Sequence, residues 1–182
     1  MTLTFTEPVF YGLFMVVSGG QCGADQGGLQ AAKEMGITTT GLAPKGWKTC
    51  RGPRPQLARF NLLEDTVDGY THRTKINVET ADATVIIASN PSSSGSRVTA
   101  QHSKKVGKPC LVIQVSSDML LHEMDEEGLR IAQWILEKRI NILNVAGNRD
   151  HFGAHPLHHS AAHRILTSAF QDLHRNDHLV QE

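Results

Sequence analysis

Short β-rich runs alternate with helix-period segments along most of the chain, and this alternation limits the possible folds more than any other feature of the sequence. Strands are predicted over 13–18, 38–41, 84–88, 111–115 and 142–145, and helices over 25–35, 70–80, 97–106, 126–138 and 157–173. A strand, a helix and a second strand in succession form a βαβ unit, whose strands are parallel and whose helices cover the sheet. The sequence therefore predicts a three-layer α/β fold with a central, mainly parallel sheet of about five strands.

Length, charge and cysteine content narrow the class of protein. The 182 residues suffice for one domain with a full core, and a single domain over 1–182 is expected. Lys plus Arg and Asp plus Glu both total 18, so a general nucleic-acid or membrane-binding surface is not expected. The apolar runs are too short to span a bilayer, and no secretory signal is recognisable. Cys22, Cys50 and Cys110 are widely spaced and odd in number, so a cytoplasmic protein without a disulfide framework is expected.

A glycine-rich turn follows the first predicted strand, in the stretch VVSGGQCGADQGGLQAAKEMG at 16–36. Such a turn at the start of a helix points free backbone N–H groups at one spot, where the helix dipole adds positive charge. This is typical of an anion site, although a tight turn without a ligand has the same composition, and the spacing matches neither the Walker pattern nor GxGxxG. Asp25 would compete with a phosphate for those N–H groups, and it suits ribose hydroxyls, a heterocycle N–H or a bridging cation better.

A serine-rich turn at 89–96, in the stretch IIASNPSSSGSRVTAQH, follows the third predicted strand, and we call it the serine loop. Ligands of open α/β sheets bind beyond the carboxyl ends of the strands, where the winding direction reverses. With the strand order 2-1-3-4-5, the loops after the first and third strands would be neighbours across that crevice. The composition is equally typical of a flexible linker, but the position directly after a buried strand favours a binding loop.

The segment YTHRTKINVETAD predicts a helix with a dominant polar face. Arg73 and Asn77 are four residues apart and share a face, and Tyr70 lies one turn before Arg73. A solvated basic face is the ordinary explanation for such residues. However, Ile76 and Val78 are the only large apolar positions, and this shortage favours an arginine that faces a ligand.

The stretch from 43 to 68 is rich in Gly, Pro and Arg and lacks periodicity. It predicts a long loop, and a loop of this length inside a compact domain is usually functional or mobile. Lys45 and Arg51 on this loop are expected to close over a ligand.

Histidines and one cysteine are the remaining candidates for chemistry. Five histidines lie between 151 and 163, and His159 and His163 have the i, i+4 spacing of a Zn or Ni chelate. Because no cysteine or acid joins them, a solvated helix start explains them more simply, and no metal site is expected. Cys22, near a helix N-terminus, is either a reactive thiol of lowered pKa or a small packing residue, and the second interpretation is the simpler one.

Several segments taken together resemble a known family. VSGGQCGADQGGLQAAKEMGI, PKGWK, YTHRTKINVETADATVII, GKPCLVI and INILNVAGNR occur in the order seen in the putative molybdenum carrier proteins, a branch of the SLOG superfamily of Rossmann-like nucleotide-binding proteins. The resemblance covers the chain from about Met15 to the final helix. It implies a Rossmann-like domain, frequently oligomeric, in which the glycine turn, the helix from Arg73 to Asn77 and the serine loop surround one ligand. The family name implies molybdenum or its pterin cofactor, whereas the superfamily includes binders of ADP-ribose-like and other nucleotide-derived signals.

The chain departs from the family pattern at three places. The turn around Gly95 lacks the usual Gly-Gly-Thr, Cys22 replaces a threonine, and GLAPKG replaces a stretch that commonly carries tryptophan and cysteine. These departures bear on the ligand more than on the fold. The related phosphoribohydrolases carry PGGxGTxxE, whose glutamate serves catalysis, whereas the corresponding helix here reads SRVTAQHSKK. Because cleavage of a glycosidic bond needs an acid close to it, no catalytic residue is expected.

The function predicted from these features is non-catalytic binding of a phosphate-bearing, nucleotide-derived small molecule. Sequestration of an ADP-ribose-type signal, by a viral or bacterial antagonist of nucleotide signalling, is one role, and carriage of molybdenum or molybdopterin is the other. An N-glycosidic hydrolase is the rival from another class, and an adaptor protein is third. The expected partners are the small ligand and further copies of the chain in a homo-oligomer, with neither nucleic acid nor membrane.

The predicted ligand-binding residues combine backbone contacts from the glycine turn, a charged fork from Arg73 to phosphate, and polar contacts to ribose or base. They are Gly19, Gly20, Gln21, Cys22, Gly23, Asp25, Lys45, Arg51, Tyr70, Arg73, Asn77, Ser89, Ser94, Gly95 and Ser96.

Overall fold

The structure is a computed structural model that describes residues 12–150 and 157–179, with side chains as far as residue 176. The strands are β1 (Met15–Ser18), β2 (Thr38–Ala43), β3 (Lys48–Thr49), β4 (Gly52–Pro53), β5 (Leu62–Glu64), β6 (Ala83–Ala88), β7 (Cys110–Gln114) and β8 (Ile142–Gly147). The α-helices are α1 (Ala24–Glu34), α2 (Thr71–Thr80), α3 (Ser94–Lys105), α4 (Leu121–Lys138) and α5 (Leu157–Leu179). Every predicted strand and helix is present, with ends that differ by a few residues.

Six of the strands form one sheet, in the order β5-β2-β1-β8-β6-β7, and every neighbouring pair is parallel. This confirms the predicted α/β fold with a mainly parallel central sheet. The predicted strand order is wrong, because β8, the last strand in the chain, lies between β1 and β6. Periodicity marks a strand as buried but does not specify its neighbours, so the order does not follow from it. The insertion of β8 adds a third strand end to the edge where β1 and β6 end.

The helices form a layer on each face of this sheet. Helix α5 packs between α1 and α4 on one face, and α2 packs with α3 on the other. Alternate strand residues, including Val16, Val85 and Val145, join Phe170 of α5 in the larger core. Across the described ranges, 12–150 and 157–179, no helix has both the length and the apolar character needed to cross a membrane.

The stretch predicted as a loop, 43–68, has structure of its own. Two short 3-10 helices, Lys45–Trp47 and Pro55–Phe60, flank the antiparallel ribbon of β3 and β4, and β5 then joins the edge of the sheet. Four buried apolar residues of this stretch pack with Leu29 of α1 in a smaller second core. They are Ala43, Leu57, Phe60 and Leu62. We call this stretch the excursion; it is packed onto α1 and the sheet edge.

Cys22 and Cys50 form a disulfide, with their Cα atoms 6.0 Å apart. The prediction of unpaired cysteines is therefore wrong for these two. The excursion folds back onto the glycine turn, and this brings together two cysteines that are 28 positions apart in the sequence. No local sequence pattern indicates such a long-range contact. The free cysteine is Cys110, and burial raises the pKa of its thiol. A raised pKa leaves less reactive thiolate at neutral pH.

Candidate functional site

A crevice with a volume of about 420 Å³ opens where β1, β6 and β8 end. Its position at the carboxyl ends of parallel strands is the usual place for a ligand in this class of fold. Of the predicted residues it brings together Gln21, Asp25, Tyr70, Arg73, Ser89, Ser94 and Gly95. The crevice is also lined by residues that are not among the predicted ones: Thr74, Asn90, Ser93, Gly147, Asn148, Arg149 and His158.

The guanidinium of Arg73 lies directly over Gly19. A Cβ atom at Gly19 would collide with Nη1 and Cζ of Arg73 and would lie 3.0 Å from Oδ2 of Asp25. Helix α2 thus carries the arginine over the glycine turn, where its side chain is only 12% exposed. Glycine at position 19 permits the close approach of a charged side chain.

Arg73 and Asp25 form a buried but loose ion pair. Nη1 of Arg73 donates to Oδ2 of Asp25 over 3.4 Å, and the same oxygen accepts from the Gln21 N–H at 3.1 Å. Burial raises the pKa of Asp25 above its ordinary value, and the charge of Arg73 and the Gln21 N–H oppose that shift only in part. Nε of Arg73 is buried and has no hydrogen-bond partner among the described residues. The guanidinium therefore keeps donor capacity for a further acceptor.

Gly20 and Gly23 shape the turn and do not line the crevice. Their φ angles are 71° and 95°, values that favour glycine. A Cβ atom at Gly20 would lie 2.8 Å from Cδ2 of Leu62 and 3.0 Å from Cδ1 of Leu57, in the smaller core. A Cβ atom at Gly23 would collide with the carbonyl oxygen of Asn148, where the turn packs against the segment after β8. The side of Gly20 that a Cβ atom would occupy faces the smaller core and not the crevice. The predicted backbone contact from Gly20 to a ligand therefore does not lie on that side.

Replacing Gly20 with alanine is expected to lower the free energy of unfolding by about 1–3 kcal/mol, because positive φ strains the new residue and its Cβ crowds the smaller core. Gly36→Ala is the matched control, since Gly36 has the same φ of 71° and a Cβ atom there would meet no other atom within 4 Å. Urea unfolding of both variants should show the larger loss at Gly20. Equal losses would remove the crowding argument, and an unchanged midpoint at Gly20 would remove the strain argument as well.

Gln21 and Cys22 connect the glycine turn to the excursion. Oε1 of Gln21 accepts hydrogen bonds from the backbone N–H groups of Cys22 at 3.1 Å and of Cys50 at 2.7 Å. The disulfide joins the same two segments. Gln21 thus lines the crevice with its amide oxygen already occupied, and Cys22 is held in the disulfide instead of being a free thiol.

Asn148, which follows β8, holds the serine loop in place. Its Oδ1 accepts from the Asn90 N–H at 2.8 Å, and its Nδ2 donates to Oγ of Ser93 at 2.8 Å and to Oγ of Ser96 at 3.2 Å. Ser96 is buried in this network and does not line the crevice. The hydrogen bonds fix the loop to the neighbouring strand end, so the alternative interpretation as a flexible linker does not apply.

His158, at the start of α5, connects the serine loop to the segment after β8. Its Nε2 lies 2.9 Å from Oγ of Ser89, and its Nδ1 lies 3.0 Å from Oδ1 of Asp150. Asp150 also accepts from the backbone N–H groups of His158 and His159, at 2.8 and 3.2 Å, and so caps α5. From the sequence alone these histidines are explained as a metal cluster or, more simply, as a solvated helix start. The signal that this explanation does not use is Asp150, an acid eight residues before a histidine at a helix start.

Asn77, Lys45 and Arg51 are further predicted ligand-binding residues that lie outside the crevice. Asn77 is 3% exposed and pairs with the backbone of Leu42, accepting from its N–H at 2.8 Å and donating to its carbonyl oxygen at 3.1 Å. Lys45 forms an ion pair with Asp68. Arg51 lines a separate groove of about 520 Å³ between the excursion and α1. Arg73 and Asn77 do share a face of α2, but that face runs from the crevice to β2, so only its first turn reaches the crevice.

His159 and His163, which have the spacing of a chelate, make other contacts. The rings of His159 and His163 are stacked with centroids 6.3 Å apart, and Nε2 of His163 lies 2.7 Å from Oε2 of Glu34. Within the part of the chain that the structure describes, no group of three or more His, Cys, Asp or Glu residues could hold a metal ion. His151 and His155 lie outside the described residues.

Comparison with known proteins agrees with the fold. The model of the circularly permutated YpsA SLOG family matches residues 16–170. The crystal structure of the putative molybdenum carrier protein from Syntrophus aciditrophicus SB is similar to this chain, with 30% sequence identity and a TM-score of 0.75 over 87% of this chain and 95% of that one. No curated protein matches the chain. Because the family model spans most of the sequence, the chain belongs to the circularly permutated YpsA SLOG family.

Proposed function

We propose that the chain binds a phosphate-bearing, nucleotide-derived small molecule in the crevice where β1, β6 and β8 end. The observation that carries this proposal is the state of Arg73, whose buried Nε has no partner among the described residues. A buried donor without an acceptor is costly, and a ligand oxygen would remove that cost. The planar guanidinium matches the oxygens of a phosphate group better than a lysine ammonium does.

The other groups of the crevice suit the remainder of a nucleotide. Thr74 and Ser94 offer hydroxyl groups for ribose, and Arg149 offers a second cation for a second phosphate. Tyr70, 45% exposed, offers an aromatic face for a base. The volume of about 420 Å³ lies within the range of small-molecule pockets, which is about 300–1,000 Å³.

Sequestration of an ADP-ribose-type signal is the role that we propose for this binding, as in an antagonist of nucleotide signalling. Its support is the chemistry of α3, which carries no carboxylate in SGSRVTAQHSKK. The glutamate with which phosphoribohydrolases cleave the N-glycosidic bond therefore has no counterpart in this helix.

Carriage of molybdenum or molybdopterin is the second candidate. The name of the similar protein from Syntrophus aciditrophicus SB favours it. Molybdate and the phosphate of a pterin cofactor are both anions, so Arg73 would serve them as it would serve a nucleotide.

Native mass spectrometry of the purified protein, with metal analysis of the same sample, tests both candidates. A bound nucleotide mass supports sequestration, and stoichiometric molybdenum supports carriage. Titration with ADP-ribose and with molybdate completes the test, because failure of both to bind at millimolar concentration would contradict the proposed function.

Nucleoside monophosphates and ADP-ribose are expected to remain intact on prolonged incubation with the protein, because no acid on α3 can protonate the leaving base. Chromatography of the free bases measures the outcome. A phosphoribohydrolase assayed in parallel shows that cleavage would be detected. Release of base over multiple turnovers would contradict binding without N-glycosidic cleavage.

A further inference from the structure

Ser89, His158 and Asp150 contact one another in the order that a serine hydrolase requires. We propose that Ser89 is a nucleophile activated by His158, and that the crevice hydrolyses small carboxylic esters. The inference goes beyond ligand binding, because it assigns an acyl-transfer reaction to residues that the binding proposal does not use.

The geometry of the three side chains supports proton transfer from Ser89 to His158, with Asp150 holding the imidazole in place. The Ser89 hydroxyl lies 2.9 Å from Nε2 of His158, within reach for direct proton transfer. The opposite ring nitrogen, Nδ1, lies 3.0 Å from Oδ1 of Asp150. The Asp150 side chain is 2% exposed and that of His158 is 10% exposed. The Nδ1 side of the imidazole therefore contacts a buried carboxylate, and its Nε2 side faces Ser89 in the crevice.

Asp150 decides which ring nitrogen carries the proton. Its carboxylate already accepts from the backbone N–H groups of His158 and His159, so it is fixed in position. A carboxylate beside Nδ1 favours the tautomer with the proton on Nδ1, which leaves a lone pair on Nε2. That lone pair can accept the Ser89 proton, so Asp150 acts as the positioning residue for the base.

The surroundings of Ser89 also suit a developing oxyanion. Ser89 directly follows β6 and is exposed in the crevice. Ser94 and Gly95, in the first turn of α3, line the same crevice. The first N–H groups of a helix have no partner within the helix and carry the positive end of its dipole, so they can stabilise negative charge on a carbonyl oxygen.

The reaction balances without a cofactor. Ser89 Oγ attacks the ester carbonyl carbon while its proton moves to Nε2 of His158, and the bond from that carbon to the alcohol oxygen breaks as the alcohol takes the proton from the imidazolium. Water then attacks the acyl-serine with His158 again as base. The acid leaves, Ser89 regains its proton, and one ester and one water have become one acid and one alcohol.

Carboxylic esters of small phosphate-bearing alcohols are the substrate class that fits the crevice. Arg73 and Arg149 line it together with Ser89 and would hold the phosphate while the ester faces the serine. This choice of an anionic substrate rests on the proposed function, whereas the nucleophile itself does not.

Labelling with a fluorophosphonate probe tests the nucleophile. Wild-type protein should take up one equivalent, peptide mass mapping should place it on Ser89, and Ser89→Ala should remain unlabelled. His158→Gln should be labelled at least about 100-fold more slowly than the wild type, because the base is lost. The control is Ser92→Ala, an exposed neighbouring serine outside the crevice, which should be labelled like the wild type.

Turnover of p-nitrophenyl acetate separates a hydrolase from a merely reactive serine. The wild type should release p-nitrophenol over many turnovers with a rate that rises to a plateau with pH, and this rise should vanish in His158→Gln. Asp150→Asn should lower the rate in parallel with the labelling, with thermal unfolding as the check on its helix-capping role. Equal labelling and turnover in wild type, Ser89→Ala and His158→Gln would overturn the proposal.

Protection by AMP distinguishes this inference from the proposed function. Slower Ser89 labelling in millimolar AMP supports an anionic substrate in the shared crevice. Unchanged labelling in AMP, with Ser89 still the labelled residue, would overturn the anionic substrate class and leave the nucleophile supported.

Discussion

Arg73→Ala is expected to weaken binding of whichever ligand co-purifies with the protein by about 10- to 100-fold, because a partly desolvated, charge-assisted contact to phosphate contributes about 1.5–3 kcal/mol. Arg73→Lys should recover only part of that loss, since lysine keeps the charge but not the planar fork. Calorimetric titration of the wild type and both variants measures the affinities, and thermal unfolding excludes misfolding.

Gly19→Ala tests the same contact without changing the arginine. A methyl group at position 19 would occupy the place of the Arg73 guanidinium and push it away from Asp25. We therefore expect Gly19→Ala to weaken binding in the same direction as Arg73→Ala, and the two changes together to be less than additive because they act on one contact. If the binding free energies of Arg73→Ala, Arg73→Lys and Gly19→Ala all differ from that of the wild type by less than about 0.5 kcal/mol, Arg73 is not part of the binding site.

The sequence predicts the elements of this fold well because their signals are local. Each predicted strand and helix depends on the periodicity of a short segment, and each is present in the structure. The prediction that Arg73 faces a ligand also rests on a local pattern, a helix with few large apolar residues, and the structure places Arg73 in the lining of the crevice. The strand order does not follow, because nothing in the segment that forms β8 shows that it inserts between β1 and β6.

Contacts between distant segments account for the parts of the site that sequence analysis missed. Asn148 forms hydrogen bonds with serine-loop residues that lie 52 to 58 positions before it in the sequence. Ser89 and His158, which also contact each other, are 69 positions apart. Local composition gave the serine loop and the histidines separate interpretations, as a binding loop and as a solvated helix start. Only the insertion of β8 brings them to one edge of the sheet, so the network that they form is a property of the topology.

Loss of the disulfide between Cys22 and Cys50 is expected to lower the free energy of unfolding by about 3–4 kcal/mol, from the loop entropy of the 28 residues that it closes. Urea unfolding with and without a thiol reductant measures this loss. The double variant Cys22→Ser/Cys50→Ser should unfold at a similar, lower urea concentration and should no longer respond to the reductant. Cys110→Ser is the matched control, because Cys110 is the free cysteine and its replacement leaves the disulfide intact.

Loss of this disulfide should also lower the affinity of the crevice for its ligand. The disulfide and the hydrogen bond from the Cys50 N–H to Oε1 of Gln21 fix the excursion to the glycine turn, directly beside Asp25 and Arg73. A turn released from the excursion samples more conformations, so ligand affinity should fall in the reduced protein and in the double variant but not in Cys110→Ser. A urea midpoint that does not move on reduction would show that packing of the smaller core, around Leu57, Phe60 and Leu62, holds the excursion without the covalent bond.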